Sequence, residues 1–308
     1  MQTPASGMMR QASQLDHHMP FFSHHFNASV LSHAPSTQVE VIKAALTFPD
    51  IDPVIFSLGF FHLRWYALAY LAGILIGWFL LKRLTSKPQD PIGHAPLDAL
   101  INSGIIGIIL GGRLVYVLFY NPAYYLSNPS KIFAVWEGGL AFHGGFLGMV
   151  LAIIFTARRY HVSMIGLGDL IAMVAPIGIF FGRLANFINA ELYGRVSDAP
   201  WAVIFPNSDG QPRHPSQIYE ALLEGGLLFL ILVMAYRMGA RQRPGMMLGL
   251  FIAGYGLCRI VVEYFREPDA QLGFIVGSVT MGQILSLPMV LIGMIFILRA
   301  RRNASVNG

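Results

Sequence analysis

The run Gly182-Arg183-Leu184-Ala185-Asn186-Phe187-Ile188-Asn189-Ala190-Glu191-Leu192-Tyr193-Gly194 closes an otherwise apolar segment with a guanidinium, two carboxamides and a carboxylate. A charged group costs about 2.5 to 3.5 kcal/mol at the centre of a bilayer helix, so each needs a partner or a task. A second set lies further along the chain. Tyr255, Arg259, Glu263 and Arg266 fall within about 80° of one another at 3.6 residues per turn and make one polar stripe. A third set, Phe142-His143-Gly144-Gly145-Phe146-Leu147-Gly148, puts an imidazole beside glycines that let a ligand or another backbone come close. Guanidinium forks grip anionic oxygens, and imidazole moves protons near neutral pH. Together these residue types suit work on an anionic group at a membrane surface.

Simpler readings stand beside that one. Arg259 and Glu263, four apart, are able to neutralise each other inside a helix bundle, which leaves Arg266 and Tyr255 unexplained. Glu220 and Glu224 have the same spacing and are expected as counter-ions for Arg113 or Arg64. A lone histidine on an apolar helix also reads as a packing residue. Cys258, the single cysteine, excludes an internal disulfide and any cysteine-based metal site.

The elements that must position these groups are membrane helices. Of 308 residues, 55% are hydrophobic and 12% charged, and the mean hydropathy is +0.56. Seven apolar stretches approach the roughly 20 residues that cross a hydrocarbon core: 61–81, 98–119, 139–157, 167–188, 217–236, 245–264 and 279–298. Barrel strands would alternate in segments of about ten residues, so the expected fold is an all-α polytopic membrane bundle of seven transmembrane helices.

Basic residues orient it. With the N-terminus outside, inner loops collect Lys82, Arg83, Lys87, Arg158, Arg159, Arg237, Arg241, Arg243, Arg299, Arg301 and Arg302, against six in the outer segments. The C-terminus, with a tail over 301–308, is then cytoplasmic. The net charge of +5 needs no nucleic acid, because basic loops facing anionic lipid account for it. In this orientation Arg64, Tyr66, Arg113, His143, Arg183, Asn186, Asn189, Glu220, Glu224, Arg259 and Glu263 all fall in the outer halves of their spans. A solute path would scatter polar groups through the bilayer depth. A site working on outer-leaflet headgroups gathers them, which favours a lateral, lipid-accessible active site.

Outside the spans, residues 1–58 hold five of the ten histidines with Ser, Pro and Gln, and no signal-peptide pattern. They are expected to form a disordered extension ahead of a catalytic bundle over 59–300. Met8, Met9 and Met19 offer alternative starts. Between the fourth and fifth stretches, about 190–216, Pro200, Trp201, Pro206, Asp209, Gly210, Pro212 and Pro215 predict a small ordered head on the outer surface, ending in His214-Pro215-Ser216-Gln217-Ile218-Tyr219-Glu220.

With these residues in view, the chain over roughly 50–300 resembles the bacterial prolipoprotein diacylglyceryl transferases. Arg64-Trp65-Tyr66, the segment from His143 to Gly148, the block from Gly182 to Gly194, and the pair of His214 to Glu220 with Gly256 to Arg266 carry the likeness. The block from Gly182 is the family-specific part. The resemblance implies seven spans in the bacterial inner membrane, a periplasmic head, a site open to the periplasmic side, and no metal or organic cofactor. It implies transfer of the diacylglyceryl unit of phosphatidylglycerol to the lipobox cysteine of a preprolipoprotein, forming a thioether and releasing glycerol phosphate. The family's essential residues fall on Tyr66, His143, Arg183, Asn186, Glu191, Gly194, Arg259 and Glu263. Gly144, Gly145 and Tyr255 are added as substrate-binding candidates. All of this fits within a monomer.

Displacement at an sp³ carbon with a phosphate leaving group needs a thiolate, and a free cysteine thiol has a pKa of about 8.5. His143 is the candidate base, with a hydroxide-like or substrate-assisted route left open. Arg183 and Arg259 are the candidate clamp for the leaving phosphate, and Tyr66 a donor to it. Glu263 would orient Arg259, while Asn186 and Glu191 would hold headgroup hydroxyls or organise the loop. The rival class is a secondary transporter or channel for a small anion, which predicts inverted repeats and midplane helix breaks. No convincing internal repeat is present.

Overall fold

The computed structural model describes residues 45–58, 61–86, 90, 92–268 and 273–306. The extension expected over 1–58 lies outside the described residues as far as residue 44. Its last part is not featureless. Strand β1 (Leu46–Thr47) and strand β2 (Val54–Leu58) form there, and β2 pairs antiparallel with β3 (Phe61–Arg64). The alternation of apolar and polar side chains in Phe61-His62-Leu63-Arg64 suits a strand, so the first helix begins at Trp65 and not at 61.

The long helices coincide with the apolar stretches. They are α1 (Trp65–Thr85), α2 (His94–Phe119), α4 (Phe142–Tyr160), α5 (Met164–Ile188), α6 (Ser216–Arg237), α7 (Met246–Val262) and α8 (Met281–Val306), with a short α3 (Pro122–Ser127) after α2. Five of them, α1, α2, α5, α6 and α8, are long and apolar enough to cross a membrane, and α7 is a shorter apolar helix. Large side chains such as Leu110, Phe119, Leu151, Leu230 and Leu291 point outward, as the walls of a protein in lipid do.

Helix α5 is the hub. It packs against α1, α4, α6 and α7, and contributes Leu167, Leu170 and Met173 to a core shared with Leu81, Leu97, Leu100, Leu228, Leu232 and Met247. From its first turns Asp169 reaches α7, accepting the N–H groups of Gly245 and Leu248 at 2.8 Å each. This satisfies donors that a helix start leaves open. It also aligns α5 and α7 in parallel, so that Arg183 and Arg259 arrive near the same end.

Helices α2 and α4 meet along glycines. Gly107 and Gly111 face Gly144 and Gly148, and a Cβ at Gly144 or Gly148 would overlap the carbonyl oxygen of Gly111 or Gly107. Four-residue spacing on both helices permits this backbone approach. Gly148→Ala should therefore destabilise the chain by about 3 kcal/mol, the upper end for overpacking, because a backbone oxygen has no rotamer in which to move aside. Gly178→Ala, whose Cβ meets nothing within 4 Å, is the control. Thermal unfolding in detergent reads both, and equal transitions would refute the steric account.

Residues 190–215 are built from turns and short strands. Strand β4 (Val203–Ile204) pairs parallel with β1 and antiparallel with β5 (Pro212–Arg213), over a small core of Ala190, Val203 and Phe205 with Phe48, Phe187 and Tyr193. A last hairpin, β6 (Phe274–Val276) and β7 (Val279–Thr280), leads into α8.

Candidate functional site

Arg183 in the penultimate turns of α5, Glu220 and Glu224 in α6, Arg259 in the last turn of α7, and Glu263 and Arg266 just beyond it converge in one ion cluster. Glu220 is its centre. Its Oε2 lies 2.6 Å from Arg183 Nε and 3.4 Å from an Arg259 nitrogen, and its Oε1 lies 2.6 Å from Arg266. Glu263 is 2.5 Å from Arg259 and 3.4 Å from Arg266, and accepts the Thr280 hydroxyl at 2.7 Å. Glu224 stands further off, 3.6 Å from Arg259 and 4.0 Å from Arg183. The Glu220 and Glu224 side chains are wholly buried, whereas those of Arg183 and Arg259 keep 22% and 16% of their surface exposed. Carboxylates thus form the floor and guanidinium groups the accessible side.

Local backbone prepares this arrangement. Residues 221–227 of α6 wind as a π-helical turn, a form frequent at functional sites, and Glu224 lies within it. After α5 the chain turns sharply. Ala190 and Leu192 both have left-handed φ, 52° and 58°, on either side of Glu191. Non-glycine residues hold that conformation only where surroundings enforce it. Here Glu191 Oε1 accepts Asn186 Nδ2 at 2.8 Å and Asn189 Nδ2 at 3.2 Å, and its carbonyl accepts Gln217 Nε2 at 2.6 Å. Asn186 in turn accepts an Arg183 N–H at 3.5 Å, linking the loop to the cluster.

Gly194 lets two backbones touch. A Cβ there would overlap the Phe265 carbonyl and His214, and Gly194 forms a bridge with Arg266. Arg195 beside it donates to the carbonyls of Arg266 at 2.7 Å and Glu263 at 3.0 Å. Next to this joint, His214 Nδ1 is 3.1 Å from the Tyr219 hydroxyl, and burial pushes the imidazole toward its neutral form. Arg213 is held by Asp209 at 2.9 Å and Glu267 at 3.1 Å, and keeps the Asp209 carboxyl below its ordinary range.

The structure thus unites Arg183, Asn186, Glu191, Arg259 and Glu263, with Gly194 attached through Arg266. Tyr66 stands in the first turn of α1 with its hydroxyl 3.2 Å from that of Tyr70. The Tyr70 hydroxyl lies against Gly182, 3.8 Å from where a Cβ would be, so the tyrosine pair borders the Arg183 turn. His143 is exposed with its ring edge-on to Phe142, and no hydrogen bond or ion pair joins it to the cluster among the described residues. Gly144 and Gly145 pack on α2, apart from the ion pairs, whereas Tyr255, its ring tilted against Phe251 at the core's edge, lies close enough to Glu224 and Arg259 to interact with their charges.

One sequence expectation is corrected outright. Glu220 and Glu224 pair with neither Arg113 nor Arg64. Arg113 is buried and its guanidinium donates to the carbonyls of Lys131, Ile132, Ala134, Gly138 and Gly139, folding the loop after α3 around it. Arg64 sits exposed at the β2–β3 pairing. The spacing of Glu220 and Glu224 in an apolar span was signal enough to mark them. Nothing in the sequence singles out Thr280 or Arg195, whose partners come from distant segments.

The sequence profile described as prolipoprotein diacylglyceryl transferase matches residues 53–299. The chain is 52% identical over 261 residues to a phosphatidylglycerol–prolipoprotein diacylglyceryl transferase of Rhodospirillum rubrum, covering 84% of this chain and 95% of that relative. It is 52% identical over 262 residues to the protein so named from Nitrobacter winogradskyi, covering 83% and 90%. It is 52% identical over 250 residues to that of Geobacter sulfurreducens, covering 81% and 95%.

Proposed function

This chain belongs to the prolipoprotein diacylglyceryl transferase family, and from that premise we infer that it is a membrane transferase that moves the diacylglyceryl group of phosphatidylglycerol onto the cysteine thiol of a prolipoprotein. The sulfur–carbon bond forms as the carbon–oxygen bond to phosphate breaks, the thiol gives up its proton, and glycerol phosphate leaves. The observation that carries the chemical reading is the pair Arg183 and Arg259. They share one carboxylate oxygen of Glu220, at 2.6 and 3.4 Å, yet keep their outer edges accessible.

Arg183 and Arg259 are the phosphate clamp. Fixed guanidinium forks in a water-poor site stabilise the charge that builds on the leaving phosphate, with no reorganisation left to make. Glu220 and Glu263 hold those forks in place, a task that explains their burial. Asn186 and Glu191 brace the loop that closes the site and offer amide and carboxylate edges to headgroup hydroxyls. Gly194 keeps Arg266 in register. Tyr66 donates to a phosphate oxygen from the α1 side. Gly144, Gly145 and Tyr255 act on substrate only through the shape they give the surrounding wall.

His143 is the proposed base, taking the thiol proton from its exposed position at the start of α4. In the wild type the rate with a lipobox peptide should fall along an acid limb, and His143→Gln should lose that limb and most of the turnover. A limb that persists in His143→Gln would remove this residue from the role.

The topology that best accommodates the site has seven crossings, with the N-terminus and the head at 190–216 periplasmic and the C-terminus cytoplasmic. Two backbone pairings support it. β1 bonds to β4 across α1, α2, α4 and α5, and Gly194 bridges Arg266 across α6 and α7. Paired strands share one side of a membrane, so an even number of crossings separates each pair. At about 1.5 Å per residue, the 19 residues of α4 and the 17 of α7 rise roughly 28 and 26 Å, near the thickness of a hydrocarbon core. All groups of the site fit within one chain, consistent with a monomer.

The direct test is a mass-shift assay with purified protein, phosphatidylglycerol and a peptide bearing Leu-Ala-Gly-Cys. An adduct of diacylglyceryl mass on this peptide, absent from a Cys-to-Ser peptide and accompanied by glycerol phosphate, is expected. No adduct across a range of lipids and detergents would sink the reading.

A further inference from the structure

Resting on the reading of Arg183 and Arg259 as a phosphate clamp, the charge balance of the cluster points to a second event at the moment of binding. Three guanidinium groups, those of Arg183, Arg259 and Arg266, are joined by ion pairs within 4.0 Å to three carboxylates, those of Glu220, Glu224 and Glu263. With all six ionised the cluster is neutral, and a phosphodiester entering it adds one uncompensated negative charge.

The three carboxylates are not equally held. Glu220 touches three guanidinium groups, two of them at 2.6 Å. Glu263 has Arg259, Arg266 and the Thr280 hydroxyl. Glu224 has both oxygens fully buried and no hydrogen-bond donor on either among the described residues. Its charge is balanced only at 3.6 and 4.0 Å, by the same Arg259 and Arg183 that the phosphate would engage. Elements α5 and α7 pack against the π-helical turn that carries it. The titratable and charged groups facing it are Arg183 from α5, Arg259, Tyr255 and Cys258 from α7, Arg266 beyond α7, and Glu220 on its own helix. Of these the one further cation is Arg266, whose guanidinium is engaged by Glu220 at 2.6 Å and Glu263 at 3.4 Å.

A buried carboxylate stripped of its counter-ions takes a proton at lower cost than it stays charged. We propose that Glu224 binds one proton as the lipid phosphate enters, so that capture of phosphatidylglycerol is proton-linked. The lipid anion, one proton from solvent and the Glu224 carboxylate go in; a complex with a neutral Glu224 acid comes out. The sign follows. Binding that takes up a proton weakens as pH rises, whereas the thiolate that must attack becomes more abundant. Substrate affinity and nucleophile supply therefore pull the pH dependence in opposite directions.

The test is calorimetric titration of the full chain in detergent with phosphatidylglycerol, near pH 8, in two buffers of different ionisation heat. Wild type should take up about one proton per lipid, with Kd rising about tenfold per pH unit where free Glu224 is ionised. Glu224→Gln, which copies the shape of the neutral acid, should bind with little proton uptake and a flat Kd. In wild type the infrared difference spectrum on lipid addition should gain a protonated carboxyl stretch, a readout that needs no variant. Wild-type binding with no proton uptake and no such stretch, or undiminished uptake by Glu224→Gln, would overturn the proposal. Arg183→Ala separates the two ideas. Its loss of binding alongside a proton-silent wild type removes only the role of Glu224, whereas its binding lipid as tightly as wild type removes the clamp.

Discussion

Arg183→Ala lowers turnover of phosphatidylglycerol and lipobox peptide about a hundred- to a thousandfold, the range seen when one preorganised donor to a developing charge is removed. The residue earns this expectation from its position. Its Nε is fixed at 2.6 Å from Glu220, its neighbour Asn186 ties it to the loop at Glu191, and one edge of the group still reaches outward. Alanine removes donors that no nearby side chain replaces. Arg183→Lys should recover only part of the rate, because an ammonium keeps the charge and loses the two-pronged grip. Initial rates in phosphatidylglycerol vesicles, followed by peptide mass shift, read both variants. Near-normal turnover of the alanine variant would end the clamp hypothesis.

Glu220→Ala has the largest effect on stability, about 3 to 5 kcal/mol, because it leaves three guanidinium groups to share two carboxylates, with Arg183 keeping only Glu224 at 4.0 Å. Arg183, Arg259 and Arg266 all lean on this one carboxylate, whose side chain has no exposed surface. Asp209→Ala supplies the contrast. That carboxylate also pairs with an arginine, but 44% of its side chain is exposed, and an exposed pair contributes up to about 1 kcal/mol. Thermal unfolding in one detergent should separate the two variants widely. Equal transitions would show that the cluster is not a structural keystone.

The helices were legible because a bilayer demands about twenty apolar residues per crossing, and each stretch in the sequence found its helix to within a few residues, except that the last helix runs on from 298 to Val306. The stripe from Tyr255 to Arg266 was legible in the same way, since helical spacing converts directly into direction. Its members then divide. Arg259, Glu263 and Arg266 form the cluster's ion pairs, and Tyr255 packs beside them against Phe251. The simple pair of Arg259 with Glu263 does exist at 2.5 Å, but as one link among several. Partners across elements were not legible. Glu220 had several arginines to choose from, and only the packing of α5, α6 and α7 selects Arg183, Arg259 and Arg266. The strands at 46–47 and 54–58 escaped notice for a related reason. Two to five residues leave hardly any period to read, and β1 is specified mostly by its partner at 203–204. The glycines at 144 and 148 were seen to permit close approach, but the approaching group is helix α2.

The pairing of Leu46 with Val203 also has a consequence for the order of biosynthesis. β1 leaves the ribosome before the first long helix, while its partner strand emerges only after α5. At about 5 to 20 residues per second, the strand waits on the order of ten seconds or more. Until α1, α2, α4 and α5 have been made, the sheet has nothing to close on. Its closure is thus a late event that reports on completed synthesis of about the first two thirds of the protein, and a nascent chain stalled partway would carry β1 as an unpaired edge.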